Sequence, residues 1–192
     1  MQVCKQLEHI FRILNMDIFK GRLPIPIFTI FVIDRKHEWY FQVRNQKQYV
    51  IALNQKELEK SEEEIICNML HCMVHEYCKL FGIQESSREG RYHNIKFGEY
   101  AEAHGLIVKK TSEEGYITIG IQESVKKLIR QKFTDLRKNM DIAIEMDSKT
   151  LTINTKSAYT TIWECPICHA KAKASHNAKL YCGYCMVAMN RT

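Results

Sequence analysis

The chain has 192 residues, 45% of them apolar and 26% charged, with a formal charge of +6 and a pI near 8.8. That length allows one well-buried domain and a small appendage rather than two large domains, and the composition is that of a soluble globular protein. No apolar run approaches the roughly 20 residues that span a bilayer. The opening Met1-Gln2-Val3-Cys4-Lys5-Gln6 lacks the apolar core of a signal peptide, so a membrane role is excluded and the cytosol is the expected compartment.

Val3, Leu7, Ile10, Phe11, Leu14 and Ile18 recur at helical spacing, which predicts an amphipathic helix over 2–19, ended by Gly21 and Pro24. Three β-branched or aromatic runs follow, Pro26 to Ile33, Trp39 to Val43 and Tyr49 to Leu53, and read as a small antiparallel sheet. Ser61-Glu62-Glu63-Glu64 has the form of a capping box and starts a helix that runs to about Phe81, where Gly82 stops it. Ile65, Ile66, Met69, Leu70, Met73, Val74, Tyr77 and Leu80 cover most of its circumference, the pattern of a buried central helix. A polar loop over 82–90, a helix from Arg91 to His104 with Gly105 as its left-handed cap, and a hairpin pairing Ile107-Val108 with Tyr116 to Ile119 come next. Residues 121–139 form a helix candidate carrying Lys126, Lys127, Arg130, Lys132, Arg137 and Lys138 against Glu123 and Asp135. The expected organisation is an α+β domain over 1–140, a linker with short strands over 141–160, and a small terminal module over 161–192.

Chemistry concentrates in two places. His71 and His75 lie one turn apart on the central helix, about 40° around and roughly 6 Å along its axis, so both rings can converge on one ion. An imidazole buried there needs a partner, since leaving it unpaired costs on the order of 1–3 kcal/mol. His93, beyond a loop long enough to turn back and with Phe97 four residues on, is the candidate third ligand. In the His-Glu-x-x-His signature of zinc peptidases the residue after the first histidine is the general base; here it is Cys72. Near the C-terminus, Cys165-Pro166-Ile167-Cys168 and Cys182-Gly183-Tyr184-Cys185 are two knuckles at the spacing of a closed tetrahedral zinc site. A redox pair would stand as a single Cys-x-x-Cys beside a βαβ pattern. Cys4, Cys67, Cys72 and Cys78 read as reduced core thiols, and His169 and His176 as surface residues of the terminal module.

Phe19-Lys20-Gly21-Arg22-Leu23-Pro24, His71-x-x-x-His75 with Tyr77, Tyr92-His93-Asn94-Ile95-Lys96-Phe97 and His104-Gly105-Leu106 together resemble the SprT-like family, which includes bacterial SprT and the eukaryotic Spartan proteases. The resemblance spans most of the chain. It implies a zincin-like domain, zinc held by His71, His75 and His93, protein substrates that include DNA-associated ones, and a C-terminal zinc ribbon as in bacterial members. The family's catalytic glutamate is replaced by Cys72. General acid–base help is worth roughly 10²–10⁴-fold, and a thiol is shorter than a carboxylate and keeps its proton at neutral pH unless metallated.

Three roles for this position stand open: Glu76 takes over as base, Cys72 itself ligates the metal, or Cys72 only fills the space. Two functions compete accordingly, a zinc metallopeptidase and a pseudopeptidase that works as a DNA- or protein-binding module. A third possibility is that Cys72 marks a mutated enzyme. Two zinc ions per chain are expected either way, one on three histidines and one on four cysteines. Lys126, Lys127, Arg130, Lys171 and Lys173 are the candidate phosphate contacts, with Trp163, Tyr181 and Tyr184 as stacking groups. The competing reading is a solvated basic face.

Overall fold

The computed structural model describes residues 2–31, 39–44, 48–88, 90–133, 135–154, 160–175 and 179–191. The chain divides into two compact units, Met1–Asp147 and Ser148–Thr192. No helix among the described residues is long and apolar enough to cross a membrane.

In the first unit, helix α1 (Gln2–Asp17) buries Val3, Leu7, Ile10, Phe11 and Leu14. Its orphan first amides are met from far along the chain: the N–H groups of Gln2 and Val3 donate to the Asp147 carboxylate at 2.8 and 3.0 Å. Beyond its end, the buried Asn15 amide clamps the chain by donating to the Leu23 carbonyl at 2.8 Å and accepting from the Leu23 N–H at 3.1 Å. Strands β1 (Ile27–Phe31), β2 (Trp39–Arg44) and β3 (Gln48–Asn54) form a sheet in the order β1-β3-β2. The expected all-antiparallel sheet is corrected here: β2 runs antiparallel to β3, but β1 is parallel to it. Central β3 buries Val50, Ile51, Ala52 and Leu53.

Helix α2 (Glu62–Leu80) begins with the capping box read from the sequence. Ser61 Oγ accepts from the Glu64 N–H at 3.3 Å, and the Glu64 carboxylate accepts from the Ser61 N–H at 3.0 Å. Ile65, Ile66, Met69, Leu70, Met73 and Val74 are at most 2% exposed, each contributing about 1.5–3 kcal/mol of apolar burial. Leu80, expected to join them, is instead exposed at the last turn.

The segment expected to be a helix over 91–104 is shorter. Asn94 accepts from the N–H groups of Lys96 and Phe97, starting α3 (Ile95–Ala103) there. The residues before it form a small hairpin, β4 (Ser86–Ser87) with β5 (Tyr92–His93), so His93 sits on a strand and not on the helix. Gly105 takes the left-handed φ of +90° expected of a cap. The hairpin β6 (Leu106–Thr111) with β7 (Gly115–Ile121) completes a sheet in the order β4-β5-β7-β6, in which His93 pairs with Gly115 in parallel.

The basic helix expected over 121–139 is two helices, α4 (Glu123–Lys132) and α5 (Leu136–Asn154). The latter occupies most of the expected linker, where short strands were anticipated. Leu136, Met140 and Ala143 bury one face of it. Arg137 ties it to the start of α2, its N–H donating to Glu62 at 2.7 Å and its guanidinium to the Leu58 carbonyl at 2.6 Å.

The second unit holds strands β8 (Thr160–Glu164), β9 (Lys171–Ser175) and β10 (Asn190–Arg191), antiparallel in the order β10-β8-β9. Among its described residues, Cys165, Cys182 and Met189 are buried, with Trp163, Leu180 and Val187 packed against them.

Candidate metal centres

His71 and His75 come from the middle of α2 and His93 from β5, and one ligand nitrogen of each lies within 4.8 Å of the other two. The His71 and His75 Nε2 atoms are 3.1 Å apart, and those of His93 and His75 are 3.2 Å apart. Zinc–nitrogen bonds of 2.0–2.1 Å in tetrahedral geometry require a separation of about 3.3 Å. The rings are therefore already spaced for one cation.

Each ring's other nitrogen is held from outside. His93 Nδ1 lies 3.1 Å from the Tyr116 carbonyl, His75 Nδ1 3.0 Å from Glu85 Oε1, and His71 Nδ1 2.9 Å from Thr118 Oγ1. A carbonyl only accepts, so His93 Nδ1 carries the hydrogen. Burial works to raise the Glu85 carboxyl, but hydrogen bonds from His75, from its own backbone amide and from Ser86 outweigh it and hold the group below its usual value. Glu85 is thus an ionised acceptor, and His75 Nδ1 also carries its hydrogen.

Two Nε2 lone pairs then face each other across 3.2 Å, an arrangement that asks for positive charge between them. Burial, and after it His75, lowers His93 to about 4, while burial followed by His75 and His93 holds His71 well below its ordinary value. The three ring nitrogens could hold a metal cation between them.

Phe97, fully buried, stacks on His93 at 4.1 Å and meets the rings of His71 and His75 at 4.9 and 5.0 Å, forming an apolar support beneath all three. The opposite side opens into a cavity of about 1180 Å³. Phe31, Trp39, Tyr40 and Phe41 give it one aromatic wall, and Glu85, Arg88 and Arg91 contribute to a charged one. Gly115 makes the approach of β7 possible: its φ is +75°, and a Cβ there would lie 2.0 Å from the His93 carbonyl oxygen.

Cys72 lines the same cavity yet is only 1% exposed, and burial, then Glu76, pushes its thiol up to about 12. It is not among the ligand atoms that converge with the three histidines. Glu76 is fully buried, does not line the cavity, and neither of its oxygens has a hydrogen-bond partner among the described residues. Burial raises it to about 8. It is shut in the core on the Cys72 side of α2 and cannot stand in as base. Of the remaining thiols, Cys78 is buried, whereas Cys4 and Cys67 are half-buried.

The four knuckle cysteines Cys165, Cys168, Cys182 and Cys185 also converge, with Cys168 and Cys182 sulphurs 3.6 Å apart. The knuckles repeat one another. Cys165 N–H donates to the Ala170 carbonyl and Cys182 N–H to that of Val187, at 3.0 and 2.8 Å, and His169 and Met186 each close a turn with φ of 58° and 55°. The backbone amide of Cys168, acting against burial and aided by that of Ile167, draws the Cys165 thiol down to about 6. His169 is exposed and pairs with Glu164; His176 lies outside the described residues.

The candidate phosphate contacts are less concentrated than their sequence suggests. Lys126 pairs with Glu63 at 3.2 Å, Arg130 pairs with Glu123, and Lys171 pairs with Glu164 at 3.4 Å. Lys127 is exposed, and the side chain of Lys173, on β9, is outside the described set. Tyr181 and Tyr184 are 73% and 91% exposed, whereas Trp163 packs against the core of the terminal unit. Sequence reasoning missed Glu85, Thr118 and the Tyr116 carbonyl, because only the fold brings them to the rings. Compared with known protein families, with curated proteins and with solved structures, the chain finds no match.

Proposed function

We propose that this chain is a SprT-like zinc protein that holds a polypeptide segment in the cavity beside its three histidines and lacks the base for ordinary peptidase turnover. One observation carries the reading: three Nε2 atoms spaced for a cation open onto a cavity in which the position of a general base is filled by Cys72. Glu76 is enclosed in the core and Glu85 is committed to His75.

The donor sets support zinc at both sites: three imidazole nitrogens with an open side toward the cavity suit a catalytic-type zinc, and four thiols a closed structural one. Zinc at the histidines would supply Lewis acidity toward a bound carbonyl. The chain's residues do the rest: the aromatic wall takes apolar side chains, Arg88 and Arg91 take acidic ones, and Phe97 keeps water from the rings' far side. The four thiolates tie together a module with little core of its own. Association with DNA is supported by the exposed Tyr181 and Tyr184 beside the exposed Lys179. A surviving peptidase activity is the second reading, favoured by the open side of the histidine cluster.

The test is cleavage of a protein substrate, with and without DNA, by the parent, Cys72→Glu and Cys72→Glu/His71→Ala. The proposal expects Cys72→Glu to gain about 10²–10⁴-fold over the parent and the double variant to lose that gain. A parent that cleaves as fast as Cys72→Glu would overturn it.

A further inference from the structure

Residues 84–88 and 90–94 form one clip. Ser86 and Ser87 pair with His93 and Tyr92 across the β4–β5 ladder, the Asn94 N–H donates to the Glu85 carbonyl at 2.9 Å, and Asn94 Nδ2 donates to the Gln84 carbonyl at 2.8 Å. The clip faces α2 at two points. His93 brings its Nε2 to 3.2 Å from that of His75, and Glu85, near the clip's other end, meets the Nδ1 of the same His75 ring at 3.0 Å. His75 is thus the one ligand gripped by the clip on both nitrogens, since His71 and His93 take their outer partners from β7.

From this juxtaposition we infer that Glu85 is a positioning residue for the metal centre: it fixes the His75 ring with hydrogen on Nδ1 and its Nε2 lone pair turned toward His71 and His93. The inference rests on the reading of the three histidines as a zinc site. Alternatives to Glu85 are poor. Phe41, stacked on His75 at 6.4 Å, and Phe97 at 5.0 Å offer ring faces and no acceptor. Without the carboxylate, His75 is free to place its hydrogen on Nε2, where it points at the other two nitrogens and blocks ligation. Ser86 Oγ donates to the same Glu85 oxygen at 3.2 Å and steadies it. Outer-sphere partners of this kind are worth about 10–100-fold in metal affinity.

The experiment titrates zinc into metal-stripped protein against a chromophoric chelator for the parent, Glu85→Ala and Glu85→Gln, and records the imidazole tautomers of the zinc-free proteins by long-range nitrogen–proton NMR. The parent is expected to bind two zinc ions. Glu85→Ala should bind the histidine-site zinc about 10–100-fold more weakly, leave the cysteine site unchanged, and show His75 gaining hydrogen on Nε2. Glu85→Gln, which keeps an accepting oxygen, should fall between them with the parent's tautomer. Two zinc ions in the parent with unchanged affinity or tautomer in Glu85→Ala would overturn the role of Glu85 while leaving the metal site standing. One zinc ion in the parent would overturn the site and the inference together.

Discussion

Replacing Glu76 by Met should stabilise the protein, and increasingly so as pH rises. The Glu76 carboxyl is fully buried, neither oxygen has a partner among the described residues, and burial raises it from an ordinary value of 4.5 to about 8. Its folded-state pKa lies above the unfolded one, so between those values the native protein holds a proton that the unfolded chain has released. Stability therefore falls as pH rises through this window, by about 1.4 kcal/mol per pH unit, and is flat outside it. Methionine has similar length, no charge to desolvate and nothing to titrate.

The gap between Glu76→Met and the parent should widen by about 4 kcal/mol from pH 5 to pH 8, on top of about 1–3 kcal/mol from removing an unpaired buried carboxyl. Urea unfolding of the zinc-replete proteins, followed by far-ultraviolet circular dichroism at pH 5, 6, 7 and 8, measures it. Contributions from the histidines are common to both proteins and cancel in the difference. A gap that stays constant across this range would refute the enclosure of Glu76, and with it the argument that Glu76 is unavailable as a base.

Gly115→Ala, whose new Cβ would meet the His93 carbonyl at 2.0 Å on a residue with φ of +75°, should cost at least about 1 kcal/mol and release the histidine-site zinc while the cysteine site stays filled. Thermal melting with metal analysis checks this; a variant with parental melting and two ions would contradict it. Cys182→Ser should collapse the terminal unit alone. Limited proteolysis is expected to cut within 148–192 while a fragment close to 1–147 persists, and equal resistance in the parent and the variant would count against a structural metal there.

How far the sequence could be read depended on whether a signal was local. The capping box at Ser61 and Glu64, the helical spacing of His71 and His75 and the two cysteine knuckles all lie within a few residues, and each was legible. Asn94 was a readable cap too, and attention to it would have started α3 at Ile95 and put His93 outside the helix. Pairing direction was not legible: the runs over 27–31 and 48–54 look the same whether parallel or antiparallel, and here β3 lies between β1 and β2. In α5, the alternation of Ile142, Ile144 and Met146 imitates a strand, yet burial of Leu136, Met140 and Ala143 at helical spacing prevails. Glu76 reads in the sequence as a possible replacement base, and only the packing around it shows that it faces the core. The outer partners of the histidines come from residues 10 to 47 positions away, beyond the reach of any spacing rule.

The most direct test of the metal centre counts zinc by native mass spectrometry in the parent and in His93→Ala. Two ions in the parent and one in the variant are predicted, the survivor being removed in turn by Cys182→Ser. A single ion in the parent, or two retained in His93→Ala, would contradict the convergence of His71, His75 and His93 on one cation.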